Sequence, residues 1–484
     1  MISVQAQTLA AIAAQLDESQ LIGDSTTLLT SVSTDSRAAQ PGSLFVALPG
    51  QHVDGAHFMR DAIARGAAAL LLQHDAREQL PSDIPACLVP DVRLALARLA
   101  AYIFGNPAKA LRIIGITGTN GKTTTSFMIA AILAATSHTT LRIGTLGASW
   151  NEQHIYLGYT TPPPLELHRL FAQARTDNVD VAVMEMSSHA LALDRLAEVP
   201  IETGIFTNLT RDHLDFHHSM EAYAAAKERL CRIARNSIFN VDDPMGETWH
   251  QRYGGISYAI DAAADVRAEH VRLNAQGSEF SVDGVRFLVP LPGRFNISNA
   301  LAAIAFGKSW GISLEVISQQ LATFRGVPGR MERFAHENCT VFVDYAHTPD
   351  ALGRVLSAVN PDGQQHVTVV FGCGGERDAG KRPAMGAIAQ RMAQRVIVTN
   401  DNPRSEDPAA IARAVLSGAS TPLECILDRR EAITRAILEA PRGGIVVVAG
   451  KGAETTQIID QATMRFDDRR EVERILLERP ASRA

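Results

Sequence analysis

The sequence contains no stretch that approaches the ~20 consecutive apolar residues of a membrane-spanning helix. Its first residues also have no basic segment followed by an apolar run, which is the pattern of a secretion signal. We therefore expect a cytoplasmic protein without a membrane span.

Clustered positive charge and closely paired cysteines are missing as well. The formal net charge is −6, and no basic run is interleaved with aromatic residues, which argues against a nucleic-acid-binding surface. The five cysteines are scattered without a C-x-x-C pair, so their spacing fits free thiols in a reducing compartment. They are Cys87, Cys231, Cys339, Cys373 and Cys425.

The 484 residues are 46% apolar and 20% charged, a composition typical of a globular protein. Because domains usually contain ~100–200 residues, this length indicates about three of them. A Gly-Asn-Pro turn at 105–107 and a new series of strands after 330 place the domains at 1–105, 106–330 and 331–484. We expect the protein to be a monomer.

The first domain shows helical spacing over 56–72 and 92–104 and a strand pattern over 43–48. Its most polar part is the loop region 34–55, which surrounds that strand. Taken alone, polar residues in such loops lie on the surface more often than they bind ligands.

The most informative stretch is GITGTNGKTTT at 115–125. A β-branched apolar run precedes it and an apolar helical pattern follows, so the sequence predicts a buried strand, a glycine-rich turn and a helix. Gly118 and Gly121 would let backbone N–H groups surround an anion at the helix N-terminus, and Lys122 would add positive charge. These features predict a nucleoside triphosphate site.

Two details of this loop qualify the pattern. Thr123 or Thr124 offers a hydroxyl to Mg²⁺, and the spacing does not choose between them. Ile116 stands where phosphate loops usually have glycine, because Gly115 comes one residue too early. An ordinary tight strand-to-helix turn is the alternative interpretation.

Polar clusters follow predicted strands of the central domain, whose alternation with helices is typical of a doubly wound parallel sheet. The strands are expected at 179–184, 203–207 and 237–240, and the clusters are at 160–162, 185–189 and 208–215. Glu185, His213 and a phosphate-loop hydroxyl would be reasonable Mg²⁺ ligands. The alternatives are a helix cap that involves Glu185, Ser187 and Ser188, and a loop network around His213 without metal.

Lys227 lies in a predicted helix over 220–233. From the residues alone, it would usually be a solvated surface lysine.

The third domain has four more predicted strands, and a charged or glycine-rich loop follows each one. The strands are at 339–343, 366–371, 395–398 and 445–449, and the loops are at 344–350, 372–381, 401–404 and 450–454. Since parallel strands end at one edge of a sheet, we expect a face that binds an ionic small molecule and meets the nucleotide domain. Helix capping would explain one or two of these loops but not all four.

Taken together, these motifs resemble the Mur ligase family, the amino-acid-adding enzymes of cell-wall precursor synthesis. The matching stretches occur in the family order and cover all three domains. They are TGTNGKTT at 117–124, EMSSHAL at 185–191, TNLTRDHLDFH at 207–217, LPGRFNISNALAA at 291–303, PGRME at 328–332, DYAHTPD at 344–350 and GKGAE at 450–454.

The resemblance implies an α/β fold of three domains: a central doubly wound parallel sheet with the P-loop, a smaller α/β N-terminal domain and an α/β C-terminal domain. It implies an ATP-dependent ligase of peptidoglycan biosynthesis that adds meso-2,6-diaminopimelate to UDP-N-acetylmuramoyl-L-alanyl-D-glutamate through an acyl phosphate. The implied cofactors are ATP, Mg²⁺ and a CO₂-derived carbamate on Lys227. The implied partners are the UDP-N-acetylmuramoyl dipeptide and meso-diaminopimelate.

Residue roles follow from the same resemblance. The implied catalytic residues are Lys122, Glu185, His213 and Lys227, and the implied metal-side residues are Thr123, Glu185, His213 and carbamylated Lys227. The implied ATP contacts are Gly118, Thr119, Asn120, Gly121, Lys122, Thr123, Thr124, Asn296, Asn299, Arg330 and Asp344. The implied UDP-substrate contacts are Ser36, Gln51, His52, Thr160, Thr161, Ser187 and Arg195. The implied amino-acid contacts are Arg377, Asp401, Asn402, Pro403, Arg404, Gly450 and Glu454.

The DNPR stretch at 401–404 resembles the form of these ligases that adds diaminopimelate. Diaminopimelate carries a second carboxylate that L-lysine lacks, and Arg404 with Arg377 would hold it through fork-shaped contacts. Lysine-adding relatives, folate ligases and a silent nucleotide-binding protein are the alternatives. The loop at 34–55 and the DNPR stretch argue against the first two, and the intact catalytic positions argue against the third.

Three positions depart from the family pattern. Tyr159 stands where the diaminopimelate-adding relatives often have Asn, and Leu193 stands where Gln is usual. Ala453 replaces the His of GKGHE, close to the amino-acid loop, and so bears most on which amino acid is added.

Overall fold

The computed structural model describes residues 2–50, 53–274, 277–460 and 462–478, and the packing of the chain divides it into two units. The division falls inside three strands. Unit 1 is Met1–Gly115, His138–Thr203 and Arg232–Arg235, unit 2 is Ile116–Ser137, Gly204–Cys231 and Asn236–Ala484, and the divided strands are Arg112–Thr117, Ile201–Phe206 and Ala234–Asn240.

The N-terminal part of unit 1 is a six-stranded sheet with four parallel central strands and an antiparallel strand at each edge. Leu44 and Val46 are buried on one face and Phe45 on the other, which explains the continuous apolar sequence of these strands. The strands lie in the order Ile2–Thr8, Leu28–Ser33, Ser43–Val46, Ala67–Gln73, Ala86–Val89 and Gln20–Ile22. The helices are Leu9–Ala13, Met59–Ala64 and Val92–Ile103, with 3-10 helices at Ser36–Ala38, Gly55–Phe58, His74–Gln79 and Pro107–Ala110.

The predicted helix over 56–72 is wrong in its second half. The helix ends at Ala64, and Ala67–Gln73 is a central strand of the sheet. Gly66 adopts φ +105°, a conformation that ends the helix and turns the chain. Leu70 and Leu71 then pack on opposite faces, so a short apolar run without polar alternation is a strand buried on both sides.

The second part of unit 1 contains four neighbouring strands and two helices. Thr140–Gly144 and Val181–Glu185 are parallel, which confirms the strand expected before Glu185. The strands lie in the order Gln153–Ile155, Gly147–Trp150, Thr140–Gly144 and Val181–Glu185, and the helices are Pro164–Thr176 and Ser188–Ala192.

The central part of unit 2 continues from the three divided strands to Ile256–Ala259 and Val266–Arg267. It also contains a three-stranded antiparallel sheet, Glu269–Asn274, Gly277–Val282 and Val285–Val289. The helices are Lys122–Leu133, Leu214–His217, Met220–Ile233, Pro244–Tyr253, Arg294–Ser309 and Leu314–Ala322. The helices expected after the phosphate loop and over 220–233 are therefore confirmed.

The C-terminal part of unit 2 is a six-stranded sheet in which every pair except the first is parallel. Buried side chains of two apolar clusters cover its two faces. The strands lie in the order Glu332–Ala335, Cys339–Asp344, Gly444–Ala449, Val367–Phe371, Arg395–Val398 and Glu424–Cys425. The helices are Pro349–Val359, Lys381–Met392, Pro408–Leu416, Arg429–Leu438 and Asp468–Glu478, with a hairpin of Thr456–Ile459 and Ala462–Arg465.

The predicted α/β class is confirmed, and the four strands expected in the third domain are neighbours in one sheet. None of the helices in the described ranges is long and apolar enough to cross a membrane. None of the five cysteines forms a disulfide; four are buried, and Cys425 is exposed at the end of an edge strand.

Candidate functional site

The phosphate loop has the backbone geometry that its glycines predict. Gly118 and Gly121 adopt φ +149° and +89°, and a Cβ on either would overlap a polar side chain, Thr207 or Asn299 respectively. Asn208 holds the loop, since its backbone oxygen accepts from the N–H of Thr119 at 2.8 Å. The loop is therefore a fixed cradle before the helix that begins at Lys122.

Two lysines converge on one carbonyl of this cradle. The Nζ of Lys122 donates to the backbone oxygens of Gly118 and Thr119, both at 2.9 Å. The Nζ of Lys227 donates to the same Gly118 oxygen at 2.7 Å and lies 4.5 Å from the centroid of the Tyr223 ring. Lys227 is only 1% exposed, so its interpretation as a surface lysine is wrong.

Burial lowers the pKa of Lys227 well below the ordinary lysine value, and the positive charge of Lys122 lowers it further. Asp212 acts in the opposite direction but does not reverse the shift. Lys227 therefore loses its proton more readily than an ordinary lysine.

His213 lies beside an acidic residue that the sequence reasoning did not select. Its Nε2 is 3.5 Å from Asp212 Oδ2, and the Nε2 of His347 is 3.9 Å from the same oxygen. Burial raises the pKa of Asp212, but His347, His213 and Lys381 outweigh that effect and hold it below its usual range. The structure thus joins the loop at 208–215 to the loop that follows Asp344.

Two of the predicted ATP contacts beyond the loop, Asn299 and Arg330, lie next to it. Asn299 donates to Asn296 at 3.2 Å. Arg330 donates to the Thr123 hydroxyl at 3.4 Å and lies over the Tyr345 ring at 4.1 Å. Asp344 accepts from two backbone N–H groups, those of Met331 and Ala346, at 2.7 and 2.8 Å, although its full burial raises its pKa.

Glu185 belongs to unit 1, where it is fully buried at the end of its strand. Its Oε1 and Oε2 accept from the backbone N–H and the hydroxyl of Thr145, both at 3.0 Å. The Thr145 hydroxyl is 3.2 Å from that of Thr160, and the Thr161 hydroxyl donates to the Glu185 backbone oxygen at 2.8 Å. Burial lowers the pKa of nearby Arg142 to about 10, against the effect of the Glu185 charge.

The capping alternative is correct for one of its residues only. The Ser187 hydroxyl accepts from the Ala190 N–H at 3.2 Å and caps the helix Ser188–Ala192, whereas the Glu185 side chain turns to Thr145.

Unit 1 also contains a cavity of about 460 Å³, which one predicted UDP-substrate contact, Arg195, lines. Arg93, Arg169 and Arg195 line it, together with Leu193. Arg195 donates to the Thr161 backbone oxygen at 2.9 Å. The remaining lining residues are Ile2, Ser33, Thr34, Leu48, Leu96, Pro163, Pro164, Leu165 and Glu166.

Ser36 is buried and begins the short 3-10 helix Ser36–Ala38, which follows the cavity-lining residues Ser33 and Thr34 in the sequence. Gln51 and His52 lie outside the described residues. Tyr159, one of the three departures, places its ring 5.8 Å from the Arg195 guanidinium.

The predicted amino-acid contacts meet at the carboxyl edge of the C-terminal sheet. Asn402 donates to Glu454 Oε2 at 2.9 Å, and a Cβ on Gly450 would lie 2.5 Å from Asp401 Oδ2. Arg404 donates to the Gly375 backbone oxygen at 2.7 Å.

Arg404 and Arg377 flank a glycine of the 372–381 loop. A Cβ on Gly374 would lie 3.2 Å from the Arg404 Nη1 and 3.7 Å from the Arg377 Cγ. Pro403 connects these groups to Asn402. The structure therefore brings three separate loops of the sequence to one place.

Lys451 and Arg429 are buried residues at this edge that the sequence reasoning did not select. Lys451 is inside the quoted motif GKGAE, but its sequence does not tell a buried side chain from a solvated one. Arg429 forms a fully buried ion pair with Asp468 at 2.7 Å and donates to the Ala449 and Asn400 backbone oxygens. No sequence signal connects residues so far apart.

No group of three or more His, Cys, Asp or Glu side chains in the described residues is arranged to hold a metal ion. A divalent cation at the phosphate loop would therefore need other oxygen donors, such as hydroxyls and ligand phosphates, which suit Mg²⁺.

Three family models match the chain in order. Residues 28–103 match the model described as Mur ligase family, catalytic domain, 116–307 match the Mur ligase middle domain, and 329–452 match the Mur ligase, glutamate ligase domain.

Relatives match nearly the whole chain. The UDP-N-acetylmuramoyl-L-alanyl-D-glutamate–2,6-diaminopimelate ligase of Gloeobacter violaceus is 43% identical over 93% of this chain and 94% of the relative. The ligase of the same name from Bacillus cereus is 41% identical over 91% and 92%. A solved structure of a ligase of that name is 32% identical, with a TM-score of 0.66 over 98% of this chain and 99% of the other. The MurF ligase of Thermotoga maritima in complex with ADP, at 18% identity and a TM-score of 0.63 over 93% and 97%, shares the fold.

Proposed function

The chain belongs to the Mur ligase family, and we propose that it is an ATP-dependent ligase that adds meso-2,6-diaminopimelate to UDP-N-acetylmuramoyl-L-alanyl-D-glutamate in peptidoglycan biosynthesis. The relatives that are 43% and 41% identical to this chain are named for this activity. The observation that carries the amino-acid assignment is the placement of Arg404 and Arg377 on either side of Gly374. Two guanidinium groups at one edge of a sheet suit a ligand that carries an extra carboxylate.

We assign the UDP substrate to domain 1–105, ATP to domain 106–330 and the amino acid to domain 331–484. The family matches support these boundaries, because the first match ends at residue 103, the second spans 116–307 and the third begins at residue 329.

The chemistry requires activation of a carboxylate. The D-glutamyl γ-carboxylate attacks the γ-phosphorus of ATP, which forms an acyl phosphate and releases ADP. The amine of diaminopimelate then attacks the acyl carbon, an amide bond forms, and inorganic phosphate leaves. Lys122 and the N–H groups of the phosphate loop neutralise charge on the transferring phosphoryl group, and Arg330, next to Thr123, adds a second cation.

We propose Mg²⁺ as a cofactor, with the Thr123 hydroxyl, Glu185, His213 and a carbamate on Lys227 as the residues that would hold it. The bound ion would supply positive charge to the phosphoryl oxygens. His213 is positioned for this role by Asp212, and Glu185 by Thr145.

Carbamylation of Lys227 is supported by its environment. A neutral amine attacks the carbon of CO₂, a C–N bond forms, one C–O electron pair moves to oxygen, and the nitrogen loses a proton to solvent. The lowered pKa of Lys227 favours this reactive form. The product is an anion, which fits a pocket that already contains the Lys122 ammonium.

The UDP substrate would occupy the arginine-lined cavity of unit 1, where Arg195 orients the Thr160-Thr161 segment and offers charge to a diphosphate. Ser36, Gln51, His52 and Ser187 complete the proposed contacts. Leu193 lines the same cavity, so an apolar contact replaces the usual amide there.

We further propose a cytoplasmic monomer. None of the five cysteines forms a disulfide, which suits a reducing compartment.

The deciding experiment couples ATP hydrolysis to product mass, with UDP-N-acetylmuramoyl-L-alanyl-D-glutamate and either meso-diaminopimelate or L-lysine offered separately. Turnover with diaminopimelate alone is expected. Turnover with lysine would keep the ligase and discard the role of Arg404, and no turnover with either would leave only a nucleotide-binding protein.

A further inference from the structure

Lys451 is a fully buried lysine between two proposed substrate contacts. Its Nζ donates to Asn402 Oδ1 at 3.1 Å and to Glu454 Oε2 at 3.0 Å. Burying an ammonium group is costly unless hydrogen bonds and an opposite charge compensate it. Both compensating groups here come from residues assigned to the amino-acid substrate, so the lysine is tied to that subsite.

These contacts fix the orientation of the Asn402 amide. Its Oδ1 accepts from Lys451 and from the Ile458 N–H at 3.0 Å, while its Nδ2 donates to Glu454 Oε2 at 2.9 Å. A flipped amide would place donors against donors at Lys451 and Ile458.

Glu454 is held through one oxygen only. Its Oε2 accepts from both Lys451 and Asn402, whereas its Oε1 accepts from none of the residues that the structure describes. The Glu454 side chain is 37% exposed, so that second oxygen is available to a ligand. The two contacts to Oε2 thus fix the orientation of Glu454 and leave its Oε1 for the ammonium group of a ligand.

The backbone on both sides of Lys451 prevents it from moving away. Gly450 and Gly452 adopt φ +118° and +53°. A Cβ on Gly450 would meet Asp401 Oδ2, and a Cβ on Gly452 would lie 2.6 Å from the Gly329 oxygen. Since only glycine fits these close approaches, the loop presents Lys451 in one position.

We propose that Lys451 is the positioning residue of the amino-acid subsite: its ammonium holds the Asn402 amide and the Glu454 carboxylate in the geometry that receives the amino-acid substrate. The proposal rests on the proposed function, which supplies the ligand. It adds a residue that acts through Asn402 and Glu454 and does not touch the substrate itself.

The kinetic test compares the wild type, Lys451→Met, Glu454→Gln and the double variant in the full-length enzyme. We expect Lys451→Met to raise the KM for meso-diaminopimelate about 10- to 100-fold, with kcat and the KM for ATP each changed less than about threefold. The two changes should be strongly non-additive, because both disrupt one contact. Lys308→Met is the matched control, since Lys308 pairs with Asp283 at a solvated position.

Equal changes in every KM together with a lower melting temperature would overturn the proposal, because that pattern describes a structural lysine. Additive effects of the two variants would overturn it as well. If Lys451→Met does not fold, Lys451→Gln tests the same contact, because it keeps a donor for the Asn402 oxygen and removes the charge.

A crystallographic comparison separates this proposal from the proposed function. In Lys451→Met, the Asn402 and Glu454 side chains are expected to leave their wild-type positions; unchanged positions would refute the positioning role whatever the enzyme catalyses. If the wild type fails to turn over meso-diaminopimelate while these side chains do move, the proposed function fails and the positioning role stands.

Discussion

Lys227 and Lys451 are both buried almost completely, but their surroundings differ in charge. Lys451 forms an ion pair with Glu454 and a hydrogen bond with Asn402. Lys227 forms no ion pair among the described residues; it donates to a backbone oxygen, lies over Tyr223 and faces the positive charge of Lys122.

The difference separates a structural use of lysine from a chemical one. A buried lysine with a carboxylate partner orders its neighbours through its ion pair and hydrogen bonds. A buried lysine next to another cation is favoured in its neutral form, and a neutral amine is a nucleophile. Burial alone does not tell these uses apart, whereas the nearest opposite charge does.

The largest expected effect follows from removing the unpaired lysine. Lys227→Met should lower kcat about a thousandfold, because the proposed carbamate cannot form. Lys227→Arg should be equally inactive, since a guanidinium neither loses its charge nor reacts with CO₂. Steady-state rates decide this, with Lys308→Met as control, and added formate or acetate should partly restore Lys227→Met. A Lys227→Arg variant with near-normal kcat would end the distinction between the two lysines.

His168 extends the comparison to stability. It is fully buried, neither ring nitrogen has a hydrogen-bond partner in the part of the chain that the structure describes, and burial lowers its pKa to about 4 from 6.5. The unfolded chain therefore binds a proton below pH 6.5 that the folded chain takes up only near pH 4, so stability falls as the pH drops through this window, by about 3 kcal/mol. His168→Met should remove that part of the acid destabilisation. Melting temperatures from pH 7 to pH 4.5 measure it, with the exposed His154→Gln as control, and equal pH slopes in wild type and His168→Met would contradict it.

A smaller effect is expected from changing Arg404, which is proposed to bind the second carboxylate of diaminopimelate. Arg404→Lys should lower the preference for meso-diaminopimelate over L-lysine, expressed as the ratio of kcat/KM values, about 10- to 100-fold, because an ammonium cannot form a two-point contact with a carboxylate. Arg413→Lys, at an exposed pair with Asp407, should leave the ratio unchanged. An unchanged ratio in Arg404→Lys would move the selectivity to other residues.

The smallest expected effect comes from removing CO₂ without changing any residue. Wild-type activity in CO₂-depleted buffer should fall about two- to fivefold and return with bicarbonate, as mass action on a weakly bound ligand requires. The recovery should weaken as the pH falls, since protonation of Lys227 removes the reactive amine. The ion-paired Lys451 is not expected to react with CO₂. A bicarbonate effect that persists in Lys227→Met would therefore show that CO₂ acts at another group.

The sequence identified candidate site residues, but it did not predict their environments. Gly118, Gly121 and Lys122 were recognised because phosphate binding requires specific backbone freedom and charge at fixed spacing. The burial of Lys227 and Lys451 was not predicted, since it depends on contacts with Gly118 and Asn402, which are distant in sequence. The roles assigned to these residues stay predictions until they are tested.

The secondary structure was predictable where the spacing of the apolar residues fits a strand or a helix but not both. The strands at 395–398 and before Glu185 were found within a few residues, because β-branched runs end in turns there. The run 67–73 was misread, since alanine and leucine favour helices and only the position of the strand inside a sheet decides otherwise. Thr145 was not predicted because its role depends on its hydrogen bonds with Glu185, which is distant in sequence.

The distribution of the thiols has a practical consequence. Of the five cysteines only Cys425 is exposed, on the edge strand of the C-terminal sheet. Burial raises the pKa of Cys87 to about 11 and that of Cys373 to about 12, so these thiols stay protonated and shielded. Burial also raises the pKa of Cys425, which makes mildly alkaline buffer the best condition for alkylation. The unaltered chain therefore accepts a single fluorophore or spin label on its third domain, and no cysteine-free background has to be engineered first.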